Sequence, residues 1–193
     1  MCIRDRDTGG HIREKEKRTF SVVDRIVEEV KSRTQVAGKV ILFGHSAGGQ
    51  FVHRWALLGG KKNVDVIAVA NSGWFTMPDR DIDYPYGIKN VGITDEELGE
   101  AFAKPVILFM GEKDVGRKPP FRDTPEADAQ GMNRMERCMN YFRQCKAKAE
   151  ELRVPFRWKL ETVEGTAHQG VKMAEGAAAY IFGKSSEDGN RRV

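Results

Sequence analysis

The sequence is poor in cysteine, in paired histidines and in long apolar runs, and each shortage excludes a class of protein or site. Cys138 and Cys145 lie on one predicted helix, about 10 Å apart along its axis. That separation is too large for a disulfide, whose Cα atoms lie within roughly 7 Å. The 4 histidines show no paired spacing, so we expect no metal site. Because no apolar run approaches the ~20 residues of a spanning helix, we expect no membrane span.

An excess of charge of one sign is also lacking. The 32 basic and 28 acidic residues are largely interleaved and leave a net charge of +4. No basic stripe with aromatic stacking partners results, so we expect no nucleic-acid binding. Hydrophobic residues make up 40% and charged residues 31% of the 193 positions, which fits one globular unit. No signal peptide is visible, and the compartment stays open between cytoplasmic and secreted.

The most informative segment is Gly44-His45-Ser46-Ala47-Gly48, because of what flanks it. Residues 40–43 predict a strand buried on both faces of a parallel sheet, and residues 49–58 predict a helix. A G-x-S-x-G on a strand-to-helix turn is typical of a nucleophile elbow, in which a strained serine projects Oγ out of the sheet. We therefore predict Ser46 as a nucleophile and the Ala47 N–H as an oxyanion donor. The alternative is a small residue in a tight turn.

A nucleophilic serine needs a base and an acid that orients the base. Folds that carry a nucleophile elbow place the three residues along the chain in the order serine, acid, histidine. Residues 105–110 predict a second buried strand, and Asp114 lies on the loop after it. Residues 156–163 alternate apolar and polar side chains as an edge strand does, and His168 follows in a glycine-bounded loop. Since the carboxyl ends of parallel strands meet at one edge, Asp114 and His168 are the predicted acid and base.

Each of these assignments has a competitor. Glu112 shares the loop of Asp114, Asp123 and Asp128 follow in the next segment, and Asp114 itself could be a solvated turn carboxylate. His168 could be an ordinary surface-loop histidine. The chain order and the positions after strands favour the catalytic assignments. His45, within the elbow, could help to shape the mouth of the site.

Four stretches of this chain resemble the bacterial α/β-hydrolases of the esterase and polyhydroxyalkanoate-depolymerase-like kind. They begin with the elbow, the most specific of them, and spread over most of residues 20–182: residues 44–54, 71–79, 124–131 and 163–168. The resemblance implies an α/β fold, the C-terminal part of an α/β-hydrolase with a mostly parallel sheet flanked by helices. It also implies Ser46, Asp114 and His168 as nucleophile, acid and base.

The sequence before the elbow is short for such a hydrolase. About forty residues precede Ser46, which is room for one helix, and they hold no segment typical of the second oxyanion donor. The opening residues 1–6 resemble translated adapter sequence. We therefore expect an N-terminally truncated hydrolase with reduced or no activity. We predict a disordered or foreign segment over 1–18, a partial domain over 19–182 and a disordered tail over 183–193.

An insertion over residues 71–104 interrupts the strand–helix rhythm. Long insertions at the carboxyl end of a strand often carry binding loops. Trp74, Phe75, Tyr84 and Tyr86 could therefore line an acyl or aromatic pocket. The alternative, weighted equally, is that these side chains hold the long loop to the body of the domain.

Three further helices follow from apolar periodicity. One spans 19–33, with a capping box at Ser21 and an apolar stripe formed by Val23, Ile26, Val27 and Val30. A long one starts at Thr124 and packs through a methionine-rich stripe: Met132, Met135, Met139, Phe142, Cys145, Ala149 and Leu152. The last spans 171–182.

These observations predict a serine hydrolase that cleaves a carboxylic ester, small or polymeric, through an acyl-enzyme and without a cofactor. A peptidase, a thioesterase or an acyltransferase could use the same three residues, because the fold does not fix the substrate. A non-catalytic relative that binds a ligand or partner through the aromatic insertion is the remaining alternative. The intact order of serine, acid and histidine argues against it.

Overall fold

Four parallel strands form the centre of the computed structural model, which describes residues 12–34, 38–59 and 64–183. The strands lie side by side in chain order: β1 (Ile41–His45), β2 (Val66–Ala70), β3 (Val106–Gly111) and β4 (Lys159–Val163). Consecutive strands are parallel throughout, so each pair needs a crossover connection. The predicted class, a mostly parallel sheet flanked by helices, is confirmed.

Helices cover both faces of this sheet. In chain order they are α1 (Phe20–Thr34), α2 (Ala47–Leu58), α3 (Asp95–Phe102), α4 (Pro125–Asp128), α5 (Arg134–Glu151) and α6 (Gly170–Gly183). Side chains alternate between two cores, because successive residues of a strand point to opposite faces. Ile67 and Val69 enter the larger core with α2, α3 and α5, whereas Ala68 and Ala70 pack with Met173 of α6. Burial on both faces explains why the central strands are continuous apolar runs.

The predicted long helix from Thr124 is wrong, because the chain forms two helices there. Gly131 has a φ of 144°, which ends the first helical segment, and Asn133 caps the second by accepting a hydrogen bond from the Glu136 N–H. The restart moves the buried face of α5 only partly off the predicted stripe, since Met135, Phe142 and Leu152 still pack against the larger core. Cys138, Tyr141, Cys145 and Ala149 are buried, while Met132 and Met139 expose 54% and 39% of their surface. Cys138 and Cys145 are free thiols.

Helix α1 also differs from its prediction. It begins at Phe20, so Ser21 lies inside the helix and does not cap it. Its buried residues are Phe20, Asp24 and Val27, and the Asp24 carboxylate accepts a hydrogen bond from the Trp55 indole of α2 at 3.1 Å. The predicted stripe holds for Val23 and Val27, which contact the larger core, and is wrong for its outer half. Ile26 and Val30 expose 56% and 50% of their surface.

The N-terminal part of the described chain contacts the domain. A 3-10 turn at Lys15–Lys17 precedes Arg18, which is buried and donates from Nη2 to the Val91 carbonyl at 2.9 Å. The remainder of the predicted N-terminal segment, residues 1–11, lies outside the described residues, as does nearly all of the predicted tail. None of the helices in the described ranges combines the length and apolarity that a membrane crossing demands.

His53 ties the start of the insertion to α2. It is buried, its Nε2 accepts a hydrogen bond from the Thr76 N–H at 3.0 Å, and its Nδ1 lies 3.0 Å from the Gly49 carbonyl. Since a carbonyl can only accept, Nδ1 carries the proton. Burial holds the pKa of His53 well below its usual range, so the ring is neutral. We therefore assign His53 a structural place in the core.

We predict opposite effects for two alanine substitutions in the elbow. A Cβ at Gly44 would lie 2.4 Å from the Gly48 carbonyl oxygen, whereas a Cβ at Gly48 meets nothing within 4 Å. Gly44→Ala should lower the free energy of unfolding by about 1–3 kcal/mol through overpacking. Gly48→Ala should raise it by about 0.5–1 kcal/mol, because alanine favours the helix. Denaturant unfolding of both variants tests this, and a tolerated Gly44→Ala would contradict the packing described here.

Candidate active site

Ser46 occupies the turn between β1 and α2 in a strained conformation. Its φ of 55° and ψ of −115° lie where residues other than glycine are rare, at a cost of about 1–3 kcal/mol. The turn is held on both sides: the Ser46 N–H donates to the Ala70 carbonyl of β2 at 2.9 Å, and the Gln50 N–H donates to the Ser46 carbonyl at 3.0 Å. The sheet and the helix therefore fix the serine together.

His168 lies on the loop between β4 and α6 and contacts two of the predicted site residues. Its Nε2 is 2.9 Å from Ser46 Oγ, and its Nδ1 is 2.7 Å from Asp114 Oδ2. An ionised carboxylate can only accept hydrogen bonds, so the proton sits on Nδ1 and Nε2 is left to accept from the serine hydroxyl. The structure thus brings the predicted nucleophile, base and acid into one hydrogen-bonded chain.

Asp114 is buried and is compensated by a cation. It lies on the loop after β3 with 4% of its surface exposed. One carboxylate oxygen accepts from His168, and the other accepts from Arg134 Nη1 at 3.1 Å. Arg134, at the start of α5, is equally buried and also donates from Nη2 to the Pro120 carbonyl. A buried carboxylate needs such partners, because desolvation penalises its charge.

The competing carboxylates lie elsewhere. Glu112 accepts a hydrogen bond from the Gly165 N–H at 2.7 Å, Asp128 forms ion pairs with two arginines, and Asp123 is exposed. Of the predicted candidates, Asp114 is the one in contact with the histidine ring. Within residues 12–34, 38–59 and 64–183, no three His, Cys, Asp or Glu side chains come together as metal ligands would.

His45 packs directly against the ring of His168. The two ring centroids are 4.6 Å apart, with an angle of 42° between the planes. Burial, the larger cause, and the neighbouring His168 both lower the pKa of His45, because each disfavours a positive charge on its ring. His45 therefore presents a neutral ring that supports one side of the other imidazole.

The first turn of α2 is open to solvent beside the serine. Ala47 and Gly48 are exposed, and Ala47 is the first residue of the helix. Backbone N–H groups in the first turn have no acceptor within their own helix, and the helix dipole adds partial positive charge there. The Ala47 N–H is therefore suited to an anionic oxygen on a group bound at Ser46.

The predicted pocket aromatics are largely buried. Phe75 has no exposed surface and stacks on Tyr141 of α5 at 4.5 Å, so its assignment to an open pocket is wrong. Trp74 and Tyr86 expose 6% and 8% and pack on each other, and Tyr84 packs against the larger core. These contacts agree with the alternative, in which the aromatics hold the insertion to the body.

Two residues of the site are absent from the sequence predictions. Arg134 gives no signal, because it is one of many charged residues in a helical segment. Asn71 comes directly after β2, as Ser46 follows β1, and its side chain contacts both loops that carry Asp114 and His168. A search for polar residues immediately after buried strands would have found it.

We predict that Arg134→Met lowers the free energy of unfolding by about 3–5 kcal/mol, because it leaves the buried Asp114 carboxylate without its cation. Arg143→Met, an exposed arginine on the same helix, is the matched control and should change stability by less than about 0.5 kcal/mol. Adding Asp114→Asn to Arg134→Met should recover most of the loss. Equal stability of the Arg134 and Arg143 variants in denaturant unfolding would contradict this account.

Comparisons with known proteins place this chain in a family. No protein-family model matches the chain, and no curated protein matches it either. Solved structures do match. Poly(aspartic acid) hydrolase-1 from Sphingomonas sp. KT-1 is 31% identical with a TM-score of 0.84, over 92% of this chain and 68% of that one. The poly(3-hydroxybutyrate) depolymerase LpqC from Bordetella parapertussis is 30% identical with a TM-score of 0.85, over 94% of this chain.

The chain spans 62% of the length of that depolymerase, so it corresponds to part of such a protein. Both matches are named as enzymes that break down polymers. Identity of about 30% across almost the whole chain, with the same fold, shows common family membership. The four-stranded parallel sheet and these two relatives show that the chain belongs to the esterase-like α/β-hydrolases.

Proposed function

We propose that this protein is a serine hydrolase that cleaves carboxylic esters through an acyl-enzyme. The observation that carries the proposal is the hydrogen-bonded chain from Ser46 Oγ through His168 to Asp114, with distances of 2.9 and 2.7 Å. These distances lie within the range in which a base can take a proton from a nucleophile. The strained backbone of Ser46 supports the same assignment, since such strain is concentrated at functional sites.

In the acylation step, Ser46 Oγ attacks the ester carbonyl carbon while its proton moves to His168 Nε2. The carbonyl π electrons move to oxygen and form a tetrahedral oxyanion. Asp114 accepts the hydrogen bond from Nδ1, which keeps the ring in the reactive tautomer and stabilises the imidazolium. When the oxyanion collapses, the ester C–O bond breaks and the leaving alkoxide takes the proton from Nε2.

In the deacylation step, water replaces the alcohol. His168 Nε2 accepts a proton from a water molecule as the water oxygen attacks the acyl carbon. Collapse of the second tetrahedral oxyanion breaks the bond to Ser46 Oγ, which regains the proton from Nε2. The acid product leaves, and no external electron donor or acceptor takes part. The same cycle with an alcohol in place of water would be acyl transfer.

The Ala47 N–H is the proposed donor to both oxyanions. It belongs to the residue after the nucleophile, and the exposed first turn of α2 leaves room for an oxygen there. One such donor contributes about 10²–10³ in kcat, so the rate depends strongly on how many donors face the oxygen. An activated ester with a good leaving group is therefore the suitable first substrate.

A polymer is the proposed source of the ester, because the named activities of both relatives concern polymers. A short polyester such as an oligomer of 3-hydroxybutyrate fits the proposed chemistry. The second candidate is hydrolysis of amide bonds in poly(aspartic acid), which the relative with 31% identity favours. The ester is the less demanding substrate, since an alkoxide leaves more readily than an amine.

We predict that Ser46→Ala lowers kcat/KM for a p-nitrophenyl ester by at least about 10³-fold, because the nucleophile is lost. Ser32→Ala, at an exposed serine of α1, should leave the rate unchanged. Stopped-flow absorbance should also show a burst of p-nitrophenol when deacylation is slow. If Ser46→Ala hydrolyses the ester as fast as the parent chain, the proposal is wrong.

The two candidate substrates predict different products. We expect soluble oligomers of 3-hydroxybutyrate to yield shorter acids with new carboxyl groups, and poly(aspartic acid) to remain intact. Mass spectrometry after incubation separates these outcomes, with Ser46→Ala as the blank. Shortening of poly(aspartic acid) without conversion of the ester oligomer would replace the proposal by the second candidate.

Added methanol yields a methyl ester only where the enzyme transfers acyl groups.

A further inference from the structure

We propose that Asn71 is a positioning residue, which holds the loop of Asp114 and the loop of His168 at the separation that the hydrogen-bonded chain needs. The inference rests on the proposed function, because it gives Asn71 a part in the same reaction. It concerns a residue that touches none of the reacting atoms. Asn71 acts on the base and the acid through the backbone beside them.

The side chain of Asn71 joins two loops from a third element. Asn71 lies directly after β2 and is 4% exposed. Its backbone N–H donates to the Phe109 carbonyl of β3 at 3.1 Å. Oδ1 accepts from the Gly111 N–H at 2.7 Å, and Nδ2 donates to the Ala167 carbonyl at 3.0 Å. Gly111 ends the strand before Asp114, and Ala167 is the residue before His168. One side chain thus fixes the backbone that leads to Asp114 and the backbone that leads to His168.

The carboxamide of Asn71 meets both contacts with one planar group. A backbone N–H can only donate and a backbone carbonyl can only accept, so the bridging group must accept on one side and donate on the other. The orientation of the amide is fixed by the same requirement. Aspartate keeps the acceptor for Gly111 but turns an oxygen towards the Ala167 carbonyl. Both contacts are lost when the side chain is removed.

The backbone at this junction is as constrained as the side chain. Asn71 has a φ of 44°, in the left-handed region where asparagine is several-fold enriched. Across the junction, a Cβ at Gly111 would lie 2.8 Å from the Ala167 carbonyl oxygen and 3.1 Å from Asn71 Nδ2. The two loops therefore approach as closely as glycine permits, with the asparagine between them.

Other hydrogen bonds keep the loops together when the Asn71 side chain is removed. The Lys113 N–H donates to the Thr166 carbonyl at 2.8 Å, and the Gly165 N–H donates to the Glu112 carboxylate. These bonds lie farther from His168 than Ala167 does along the chain. Substitution of Asn71 should therefore leave the fold in place and release the backbone immediately before the base.

The experiment compares Asn71→Gly and Asn71→Asp with Asn90→Gly in the full chain. Asn90 is an exposed asparagine with a φ of 59°, so its glycine variant repeats the backbone change away from the site. The readout is the second-order rate of Ser46 labelling by a fluorophosphonate, followed by intact mass. We expect Asn71→Gly to slow labelling by about 10²-fold, since a misplacement near 1 Å has that effect. Asn71→Asp should slow it by about 10-fold and Asn90→Gly should leave it unchanged.

A double-mutant cycle separates positioning from general destabilisation. Once His168→Ala has removed the base, the position of either loop no longer matters for the reactivity of Ser46. The Asn71→Gly effect on labelling should therefore shrink from about 10²-fold to less than about 3-fold in the His168→Ala background. An effect of full size in both backgrounds would overturn the positioning role, as would parent-like labelling in the Asn71→Gly and Asn71→Asp variants.

A spectroscopic readout keeps this inference distinct from the proposed function. The proton on His168 Nδ1, shared with Asp114, should give a downfield NMR signal in the parent chain and in Asn90→Gly. Loss of that signal in Asn71→Gly, with folding retained by circular dichroism, supports positioning even where Ser46 does not react with the probe. Retention of the signal in Asn71→Gly overturns the inference, whatever the labelling rates are.

Discussion

The constraint on which the site depends is the parallel register of four neighbouring strands. Because every strand runs in the same direction, all four carboxyl ends reach the same edge of the sheet. The residues that follow them are Ser46 after β1, Asn71 after β2, Asp114 after β3 and His168 after β4. Three crossovers separate these residues in sequence by up to 122 positions, yet hydrogen bonds join them at that edge.

Burial makes this arrangement rigid and requires that its buried charge be paired. Asp114 has little contact with water, so its charge requires the Arg134 guanidinium on one oxygen and His168 on the other. The same arginine reaches the Pro120 carbonyl and so holds the loop that carries the acid. His45 fills the space beside the imidazole with a neutral ring. The geometry of the proposed base is therefore set by packing and charge together.

The parts of the fold that follow from local pattern were predictable. Doubly buried strands are continuous apolar runs, and the elbow motif lies between such a run and a helix, so β1, β3 and α2 follow from residues 40–58 and 105–110. The break between α4 and α5 was missed, although Gly131 and Asn133 are a stop signal and a cap. The exposed outer half of α1 could not be foreseen, because apolar periodicity does not tell what covers a helix.

The residues of the site also divide into those that the sequence pattern predicts and those that it does not. Ser46, Asp114 and His168 stand out because each follows a strand and their order matches one chemistry, although the contact among them is a property of the folded chain. Arg134 has no local signature, since its function depends on a buried partner twenty positions away in sequence. The aromatics of the insertion illustrate the reverse case. Their residue types suit a pocket, but Phe75 is buried in the core.

The most direct test of the central claim is a crystal structure of the chain after reaction with a phosphonate ester. The account predicts a covalent bond from phosphorus to Ser46 Oγ, with a phosphoryl oxygen about 2.7–3.1 Å from the Ala47 nitrogen. It also predicts that the hydrogen bond between His168 and Asp114 is retained. A phosphonate on another residue, or a phosphoryl oxygen directed away from Ala47, would contradict the assignment of this site.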